Sequence, residues 1–449
     1  MNAPGQPAVQ PLPADRIISA RYVVPVEPAG VVLEDHAVVI RAGRIADVLP
    51  AEQARNSYPA AAHTELPTHA LIPGLVNLHT HAAMALMRGL ADDLPLMEWL
   101  TQHIWPAEGK HVSAQFVFDG TLLACAEMIR GGITCFNDMY FFPEQAGRAA
   151  VAAGMRAALG IICLEFPTAY AADAQDYLHK GLAVRDALKR ETLLSFCMAP
   201  HAPYTVSDRS FEQIATYADE LQIPIHMHLH ETQDEIRESM KGFGVRPLQR
   251  MHRLGLLGPG LIAVHSVHLE ANEIALLKET GTHIAHCPSS NLKLASGIAP
   301  VAALLEAGVN VGLGTDGTAS NNRLDLFEEM RLAALLAKGA SGRPTSAPAP
   351  RALAMATIDA ARALGLEDQI GSITPGKQAD LAAVDLAALE LSPCYHPLSH
   401  LVYAAAREHV THVWVGGRPL LENRRLTTLD VAELAATAAS WQQRIAPQA

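Results

Sequence analysis

The residues best suited to chemistry in this sequence are two histidines at the end of a short apolar segment. The segment Leu71–His81 reads Leu-Ile-Pro-Gly-Leu-Val-Asn-Leu-His-Thr-His and places His79 and His81 two positions apart. On an extended strand, side chains at this spacing point to the same face. Two imidazoles on one face are a good beginning for a metal site, although two hydrogen-bonded histidines beneath a loop fit the same pattern.

More histidines and acidic residues follow other short apolar segments. They are His201, His228, Glu231, His265 and Asp316. A core histidine, a capping aspartate or a solvated glutamate would explain each one alone. His226, His228 and His230 share one face of an extended segment, so the strand period does not choose among them.

The elements that position these residues alternate between strand and helix. Helical patterns such as Phe116–Ile129, Arg209–Leu221 and Leu324–Ala337 separate eight short apolar or β-branched segments. The segments are Ala70–Asn77, Gly132–Asp138, Met155–Cys163, Leu193–Met198, Ile223–His230, Leu261–His265, Thr282–His286 and Val309–Leu313. This alternation predicts an α/β fold, a (β/α)₈ TIM-like barrel, whose active site lies at the carboxyl ends of the strands. The histidines and acidic residues fall at those ends.

Strand-like patterns occur at both ends of the chain. They predict one small β-sandwich domain built from residues 16–70 together with 371–449, flanking a catalytic barrel over 71–370. A final helix is predicted at Val431–Ile445. Residues 1–15 are rich in proline, alanine and glutamine, lack the pattern of a signal peptide, and are predicted to be disordered.

The composition excludes several classes of partner. The net charge of −12 over 449 residues argues against nucleic acid and anionic membranes. The six cysteines are scattered without a C-x-x-C pair, which suits a reducing compartment, so we expect a cytoplasmic protein. No apolar run is long enough to span a membrane.

The histidines and acidic residues at the predicted strand ends resemble the pattern of the amidohydrolase superfamily. In chain order the pattern reads His79-x-His81, His228-x-x-Glu231, His265 and Asp316. Pro73–His81 and Gly371–Leu381 resemble further motifs of that superfamily, and the resemblance covers nearly the whole chain. It selects His228 over its two neighbours and His265 over His268.

The resemblance implies one divalent metal ion, because no lysine or glutamate ends the fourth strand to bridge two ions. The implied ligands are His79, His81, His228 and Asp316. Zinc is the expected ion, and iron suits the same ligands. Such an ion lowers the pKa of a bound water. The implied catalytic residues are Asp316, which takes the proton of that water, His265, which orients the water, and Glu231, which moves protons.

Three segments resemble the 5′-methylthioadenosine/S-adenosylhomocysteine deaminases. They are Met97–Glu108, Pro200–Tyr204 and Gly314–Asn322. The resemblance implies that Glu108 binds the ribose hydroxyls, that His201 contacts the purine, and that Trp99 lines the pocket. Glu231, Asp316 and Ser320 complete the implied substrate-binding set. From the sequence alone, a surface glutamate is the simpler interpretation of Glu108. His286 is interpreted as a residue that structures its loop.

The implied reaction is hydrolytic deamination of a purine nucleoside at C6, which gives ammonia and the inosine analogue. A guanine deaminase-like or triazine aminohydrolase-like enzyme is the close alternative, and a barrel that has lost catalysis is the remote one. Glu108 with His201 argues against the close alternative, since free bases and triazines have no ribose. The resemblance also implies a homo-oligomer, a dimer or larger.

The segment after the third predicted strand departs from the family pattern. Ile161 and Ile162 stand where an arginine would hold the carboxylate of S-adenosylhomocysteine, and no lysine or arginine occurs between Arg156 and Lys180. A buried carboxylate without a partner is costly, whereas a methylthio group needs only an apolar pocket, for which Met84 and Trp99 are candidates. We therefore expect methylthioadenosine to be preferred, then adenosine, with S-adenosylhomocysteine poor.

Overall fold

A computed structural model describes residues 14–446 of the chain. The strands are β1 (Arg16–Val23), β2 (Leu33–Arg41), β3 (Arg44–Pro50), β4 (Ala62–Pro73), β5 (Leu75–Thr80), β6 (Ile133–Asp138), β7 (Arg156–Cys163), β8 (Leu194–Pro200), β9 (Ile225–Leu229), β10 (Leu261–His265), β11 (His283–His286), β12 (Val311–Leu313), β13 (Leu381–Asp385), β14 (Val410–Val415), β15 (Arg418–Glu422) and β16 (Arg425–Leu426). The disorder expected over residues 1–15 falls outside the described residues, except at positions 14 and 15.

Most of the α-helices lie between β5 and β12 in chain order. The α-helices are α1 (Ala51–Ser57), α2 (Leu96–Glu98), α3 (Trp105–His111), α4 (Ala114–Arg130), α5 (Pro143–Ala153), α6 (Ala174–Leu188), α7 (Asp208–Leu221), α8 (Gln233–Phe243), α9 (Pro247–Arg253), α10 (Ala271–Thr280), α11 (Pro288–Lys293), α12 (Val301–Ala307), α13 (Leu326–Ser341), α14 (Ala349–Met355), α15 (Ile358–Ala363), α16 (Pro397–Tyr403) and α17 (Val431–Ile445). Five of the longer helices are N-capped by a side chain that accepts a hydrogen bond from a backbone N–H of the first turn. Such a cap fixes where the helix begins. These capping residues are Ser113, Asp173, Ser207, Thr232 and Asp325.

Strands β5 to β12 form one parallel sheet in chain order, with helices between them. The last strand lies beside the first: a Cβ on Gly312 of β12 would come within 2.6 Å of Leu78 Cδ2 on β5. Just beyond β12, Asp316 donates its backbone N–H to His79 O at 2.9 Å. The predicted (β/α)₈ barrel is confirmed.

The first barrel strand begins later than predicted. The sequence predicts it over Ala70–Asn77, but Ala70–Pro73 belong to β4, which pairs with β13 in antiparallel register. The chain then changes sheets at Gly74. A Cβ at this glycine would lie 2.2 Å from the Thr134 hydroxyl oxygen, so the strand change requires a residue without a side chain. An apolar run read from the sequence does not reveal that two sheets share it.

The remaining strands form a second sheet from both ends of the chain, in the order β16-β15-β14-β13-β4-β1-β2-β3. This sheet folds over on itself. Ile40 on β2 contacts Gly417, which follows β14, so closely that a Cβ there would lie 2.9 Å from Ile40 Cγ2. In the strand order, β2 and β14 are four places apart. In a flat sheet they would be about 19 Å apart at the usual strand spacing, so the contact requires the sheet to curl. The expected domain built from both chain ends is confirmed, and its limits at residues 70 and 371 stay a prediction.

A long helical segment covers the carboxyl ends of the barrel strands. Helix α2, a π-helical stretch at Trp99–Ile104 and α3 follow one another without a break. We call Leu96–His111 the helical arm. Within residues 14–446, no single helix is long and apolar enough to cross a membrane, and one pair, the arm with α4, meets that test only jointly across a 112° bend.

A buried ion pair joins the two sheets. Arg156 at the start of β7 donates from Nε to Asp380 Oδ2 at 2.6 Å and from Nη2 to Oδ1 at 3.2 Å. Asp380 also accepts from the backbone N–H of Gly416 at 2.7 Å, and its carbonyl accepts from Gly74 at 2.9 Å. The pair thus ties the barrel to the turn after β14 and to the strand change at Gly74.

Replacing one member of this pair should destabilise the fold. Arg156→Met leaves the Asp380 carboxylate buried without its cation, so we expect the free energy of unfolding to fall by about 3–5 kcal/mol. Urea unfolding followed by circular dichroism measures the loss. The double variant Arg156→Met/Asp380→Leu removes both charges and should lose less than the single variant. A single variant as stable as the parent would contradict the stabilising role of the pair.

Candidate active site

The residues expected to bind metal and substrate meet at the carboxyl end of the barrel. His79 lies on β5 and His81 directly follows it, whereas His228 lies on β9 and His265 ends β10. Asp316 follows β12. The strands of a closed barrel bring these positions together, although His79 and Asp316 are 237 positions apart in sequence.

Each of the three expected histidine ligands is held through its outer ring nitrogen. The hydrogen bonds join His79 Nδ1 to His226 Nε2 at 2.8 Å, His81 Nδ1 to Met139 O at 2.6 Å, and His228 Nδ1 to His201 O at 2.7 Å. These contacts fix the orientation of each ring and leave its Nε2 for the centre of the site. Metal-binding histidines are usually held in this way.

The donor set fits a divalent ion. Two overlapping groups of donor atoms, each within 4.8 Å of one another, share His79: one adds His228 and His265, the other His81 and Asp316. His79 Nε2 is buried and has no hydrogen-bond partner among residues 14–446. A buried polar atom in this state is costly unless a ligand binds there. Burial lowers the pKa of His79 to about 4, so the ring is neutral and able to bind metal at neutral pH.

Asp316 is positioned by its neighbours on both oxygens. Oδ2 accepts from the Ser290 hydroxyl at 2.6 Å and Oδ1 from the backbone N–H of Gly317 at 2.6 Å. Oδ1 lies 3.5 Å from His79 Nε2 and 3.3 Å from His81 Nε2. Burial alone would raise the pKa of this carboxyl, but the close approach of the facing histidine rings holds it well below its usual value.

The backbone is strained where it presents two of these residues. His265 has a φ of 68° and Asp316 a φ of 62°, in the left-handed region that residues with side chains rarely adopt. Gly314, just before Asp316, packs against β5 so closely that a Cβ would lie 2.8 Å from His79 N. Strain and close packing of this kind concentrate at functional sites.

Glu231 and His265 face each other beside the donor set. Glu231 Oε2 lies 3.9 Å from His265 Nε2, and His265 Nδ1 hydrogen-bonds to Asn291 Oδ1 at 2.8 Å. Burial raises the pKa of Glu231, although the charge of His265 opposes the shift. Glu235 holds the backbone beneath, because its two oxygens accept from the N–H groups of His230 at 2.9 Å and Glu231 at 2.8 Å.

The structure separates histidines that the sequence leaves equivalent. His228 faces the cavity, while His226 lies behind His79, and His230 points away and accepts from the backbone N–H of Leu248 at 2.9 Å. His268 hydrogen-bonds to Ser296 O at 2.8 Å, away from the donor set. His286 is buried, neither of its ring nitrogens has a hydrogen-bond partner, and it does not line the cavity.

A cavity of about 340 Å³ opens above the donor set. The expected substrate residues Trp99, Glu108, His201 and Ser320 all line it, together with Glu231, Asp316 and His265. Glu108 reaches the cavity from the helical arm and accepts from the Tyr140 hydroxyl at 2.7 Å. Trp99 Nε1 is buried and has no hydrogen-bond partner in the described part of the chain, so this N–H is free for a ligand. The structure thus places Glu108 in the cavity rather than on the open surface.

The far side of the cavity is apolar. Ile162, Leu164 and Phe166 line it, whereas Ile161 points outward against Gly181 of α6. Glu165 does not line the cavity, because its Oε1 accepts from the N–H of Ser207 and the hydroxyl of Ser210 at the start of α7. Among residues 14–446, no lysine or arginine lines the cavity.

Four residues that shape the site escape sequence reasoning. They are His226, Tyr140, Glu235 and Asn291. The sequence shows His226 only as one of three histidines on the same strand face. The one indication for Glu235 is its position four residues after Glu231, on the next helix. Tyr140 and Asn291 carry no signal, because their contacts join parts of the chain that are 32 and 26 positions apart.

The chain is similar to known proteins over most of its length. The family model described as "Amidohydrolase family" matches residues 70–420. A 5-methylthioadenosine/S-adenosylhomocysteine deaminase from Saccharophagus degradans is 50% identical over 436 residues, 97% of this chain and 98% of that protein. A 5′-deoxyadenosine deaminase from Methanothermobacter thermautotrophicus is 42% identical over 414 residues, 90% of this chain and 94% of that protein. The crystal structure of an adenosine deaminase from Xanthomonas campestris with bound zinc has a TM-score of 0.95 and 50% identity, and covers 97% of this chain and 99% of that one.

Two substitutions on one strand should lower metal affinity to different degrees. His228→Ala removes an expected ligand, whereas His226→Ala removes only the hydrogen bond behind His79. We expect the second variant to bind zinc roughly 10- to 100-fold more weakly, the usual effect of losing such a partner, and the first to lose more than that. Metal analysis after dialysis against a chelator of known affinity measures both.

The exposed histidine His179 on α6 supplies the control, since His179→Ala should bind zinc like the parent. Circular dichroism of the metal-free proteins checks that all variants fold. Full zinc in His228→Ala, or equal losses in the two strand variants, would show that the ligands are assigned wrongly.

Proposed function

The chain belongs to the amidohydrolase family, and from this we propose that it deaminates 5′-methylthioadenosine by metal-dependent hydrolysis. It is a hydrolase that acts on the C–N bond of a cyclic amidine and releases ammonia and the inosine analogue. One observation carries the proposal: a single, largely apolar cavity is lined both by the buried His/Asp donor set and by the Glu108 carboxylate of the helical arm. The relatives named 5-methylthioadenosine/S-adenosylhomocysteine deaminase and 5′-deoxyadenosine deaminase support it.

The cofactor is one divalent ion, and the zinc bound in the Xanthomonas campestris structure supports zinc. His79, His81, His228 and Asp316 would hold it. When bound, it supplies Lewis-acid activation of a water molecule, which makes the water a nucleophile at neutral pH. The buried Nε2 of His79 and the three rings fixed through Nδ1 are suited to this role.

Proton transfers are assigned to Asp316 of the donor set and to Glu231 beside it. Asp316 takes a proton from the attacking water, and His265, fixed by Asn291, orients that water. Glu231 gives a proton to N1 of the adenine, which makes C6 electrophilic, and a proton then reaches the leaving amine. The raised pKa of Glu231 suits a group that must both donate and accept.

The rest of the nucleoside is assigned to the cavity wall. Glu108 accepts hydrogen bonds from the two ribose hydroxyls, a charge-assisted contact. Trp99 offers its free N–H, and His201 faces the purine with its Nδ1 fixed by the Thr205 hydroxyl at 3.0 Å. Ser320, whose hydroxyl donates to Gly317 O at 3.0 Å, completes the wall beside Asp316.

The alternatives account for less of this cavity. A guanine deaminase-like or triazine aminohydrolase-like enzyme would leave Glu108 without a ligand, although the carboxylate is partly buried and its pKa is raised by burial to about 7. A barrel without catalysis would have no use for Glu231 and His265 facing the donor set.

We also propose that the protein works as a homo-oligomer in the cytoplasm, with the nucleoside rather than nucleic acid or a membrane as its partner. Leu389 and Tyr395 support self-association, since these large apolar side chains are 88% and 90% exposed. The six cysteines support a reducing compartment, because they are all free.

The order of substrates tests the proposed function. We expect kcat/KM to fall from methylthioadenosine to adenosine to S-adenosylhomocysteine, the last by at least about tenfold, because the apolar end of the cavity offers no cation to a carboxylate. Loss of adenine absorbance and release of ammonia measure turnover.

A neutral analogue separates charge from length. 5′-Butylthio-5′-deoxyadenosine is long but uncharged, and we expect it to be accepted better than S-adenosylhomocysteine. S-adenosylhomocysteine as the best substrate would show that a cation reaches the site. No ammonia from any of these nucleosides, in zinc-loaded enzyme, would refute the proposed function.

A further inference from the structure

The helical arm depends on one polar contact at the cavity. The arm brings Trp99 and Glu108 over the donor set, yet its other side-chain hydrogen bond, from Thr101 to Met97 O, is internal. Within the described part of the chain, the contact from the Tyr140 hydroxyl to Glu108 Oε1 at 2.7 Å is the one side-chain hydrogen bond that joins the arm to the barrel. Tyr140 is only 3% exposed and follows β6.

Tyr140 is itself attached to the metal site through its neighbour. Met139 donates its backbone N–H to Thr80 O at 3.0 Å, and its carbonyl accepts from His81 Nδ1 at 2.6 Å. Two adjacent residues therefore fix two parts of the site: Met139 orients an expected metal ligand, and Tyr140 orients the carboxylate of Glu108. One planar peptide unit contains both the Met139 carbonyl and the Cα of Tyr140, so the two anchors start from the same rigid piece of backbone.

We infer that Tyr140 is a positioning residue for ribose recognition, which holds Glu108 Oε1 so that the carboxylate receives the cis-diol while C6 lies at the metal site. This inference rests on the proposed deamination of a nucleoside. No side chain or backbone group among residues 14–446 hydrogen-bonds to Oε2, which is therefore free for a ribose hydroxyl, and Oε1 keeps a second lone pair for the other hydroxyl.

The electrostatics of Glu108 agree with this role. Burial raises the pKa of Glu108 to about 7, and the hydrogen bond from Tyr140 opposes the shift. Since no lysine or arginine among residues 14–446 lines the cavity, the tyrosine hydroxyl is the group that favours the ionised, hydrogen-bond-accepting form.

The test compares two nucleosides that differ only in the diol. In Tyr140→Phe, kcat/KM for adenosine should fall roughly 10- to 100-fold, the usual effect of losing a hydrogen bond to a charged group. The loss should appear mainly as a higher KM, because the contact binds substrate rather than moving a proton. For 2′,3′-dideoxyadenosine, kcat/KM should change by less than about twofold, since the diol is absent.

Further variants separate positioning from general damage. Tyr177→Phe removes a similar buried hydroxyl, which donates to the Thr168 hydroxyl at 2.7 Å, and should leave both substrates unaffected. The double variant Glu108→Gln/Tyr140→Phe should be no worse on adenosine than Glu108→Gln alone, because the two groups act as one unit. Zinc content of Tyr140→Phe should equal that of the parent.

The outcomes distinguish this inference from the proposed function. Equal losses on adenosine and the dideoxynucleoside, or no loss on either, would overturn the role of Tyr140 while deamination stands. Additive losses in the double variant would overturn it as well. A parent enzyme that deaminates neither nucleoside, nor methylthioadenosine, would refute the proposed function and this inference together.

Discussion

The constraint on which the site depends is that the outer ring nitrogen of each proposed ligand histidine already hydrogen-bonds to the protein. His226, Met139 O and His201 O hold the Nδ1 atoms of His79, His81 and His228. The rings cannot turn without breaking these buried contacts, so their Nε2 atoms face the same small volume. A preformed set of this kind binds metal without spending binding energy on ordering its ligands. The proposed proton transfers and the position of the substrate follow from where the ion would lie.

The fold meets this constraint through closure of the barrel and local strain. Asp316 completes the donor set only because β12 lies beside β5, where its backbone N–H reaches His79 O. Left-handed backbone at His265 and Asp316 costs of order 1–3 kcal/mol for each residue. Hydrogen bonds to the neighbouring side chains offset part of this cost: Asn291 holds His265, and Ser290 holds Asp316. The domain built from both chain ends stabilises the same barrel through the buried pair of Arg156 and Asp380.

Much of this arrangement could be predicted from the sequence, because it is encoded in the two-residue period of the strands and in the order of the histidines along the chain. The eight alternating segments predict the barrel, and the positions of His79, His81, His265 and Asp316 after apolar runs place them at one end of it. The two-residue period of a strand could not decide whether His226 or His228 faces the cavity, since alternate residues of a strand share a face. The predicted start of the first barrel strand was wrong, because β13, which is far away in sequence, pairs with Ala70–Pro73. Tyr140 was missed because a contact between a loop and the helical arm leaves no periodic signal.

The most direct test of the account is a zinc titration of the metal-free enzyme with methylthioadenosine as substrate. Turnover, followed as loss of adenine absorbance, should rise in proportion to added zinc and stop rising at one equivalent per chain. Glu231→Gln should bind the same single equivalent but turn over slower by about two or more orders of magnitude, since it keeps the shape of the site and cannot carry the proton. Full turnover without metal, a break at two equivalents, or near-normal turnover in Glu231→Gln would contradict a one-ion site served by this glutamate.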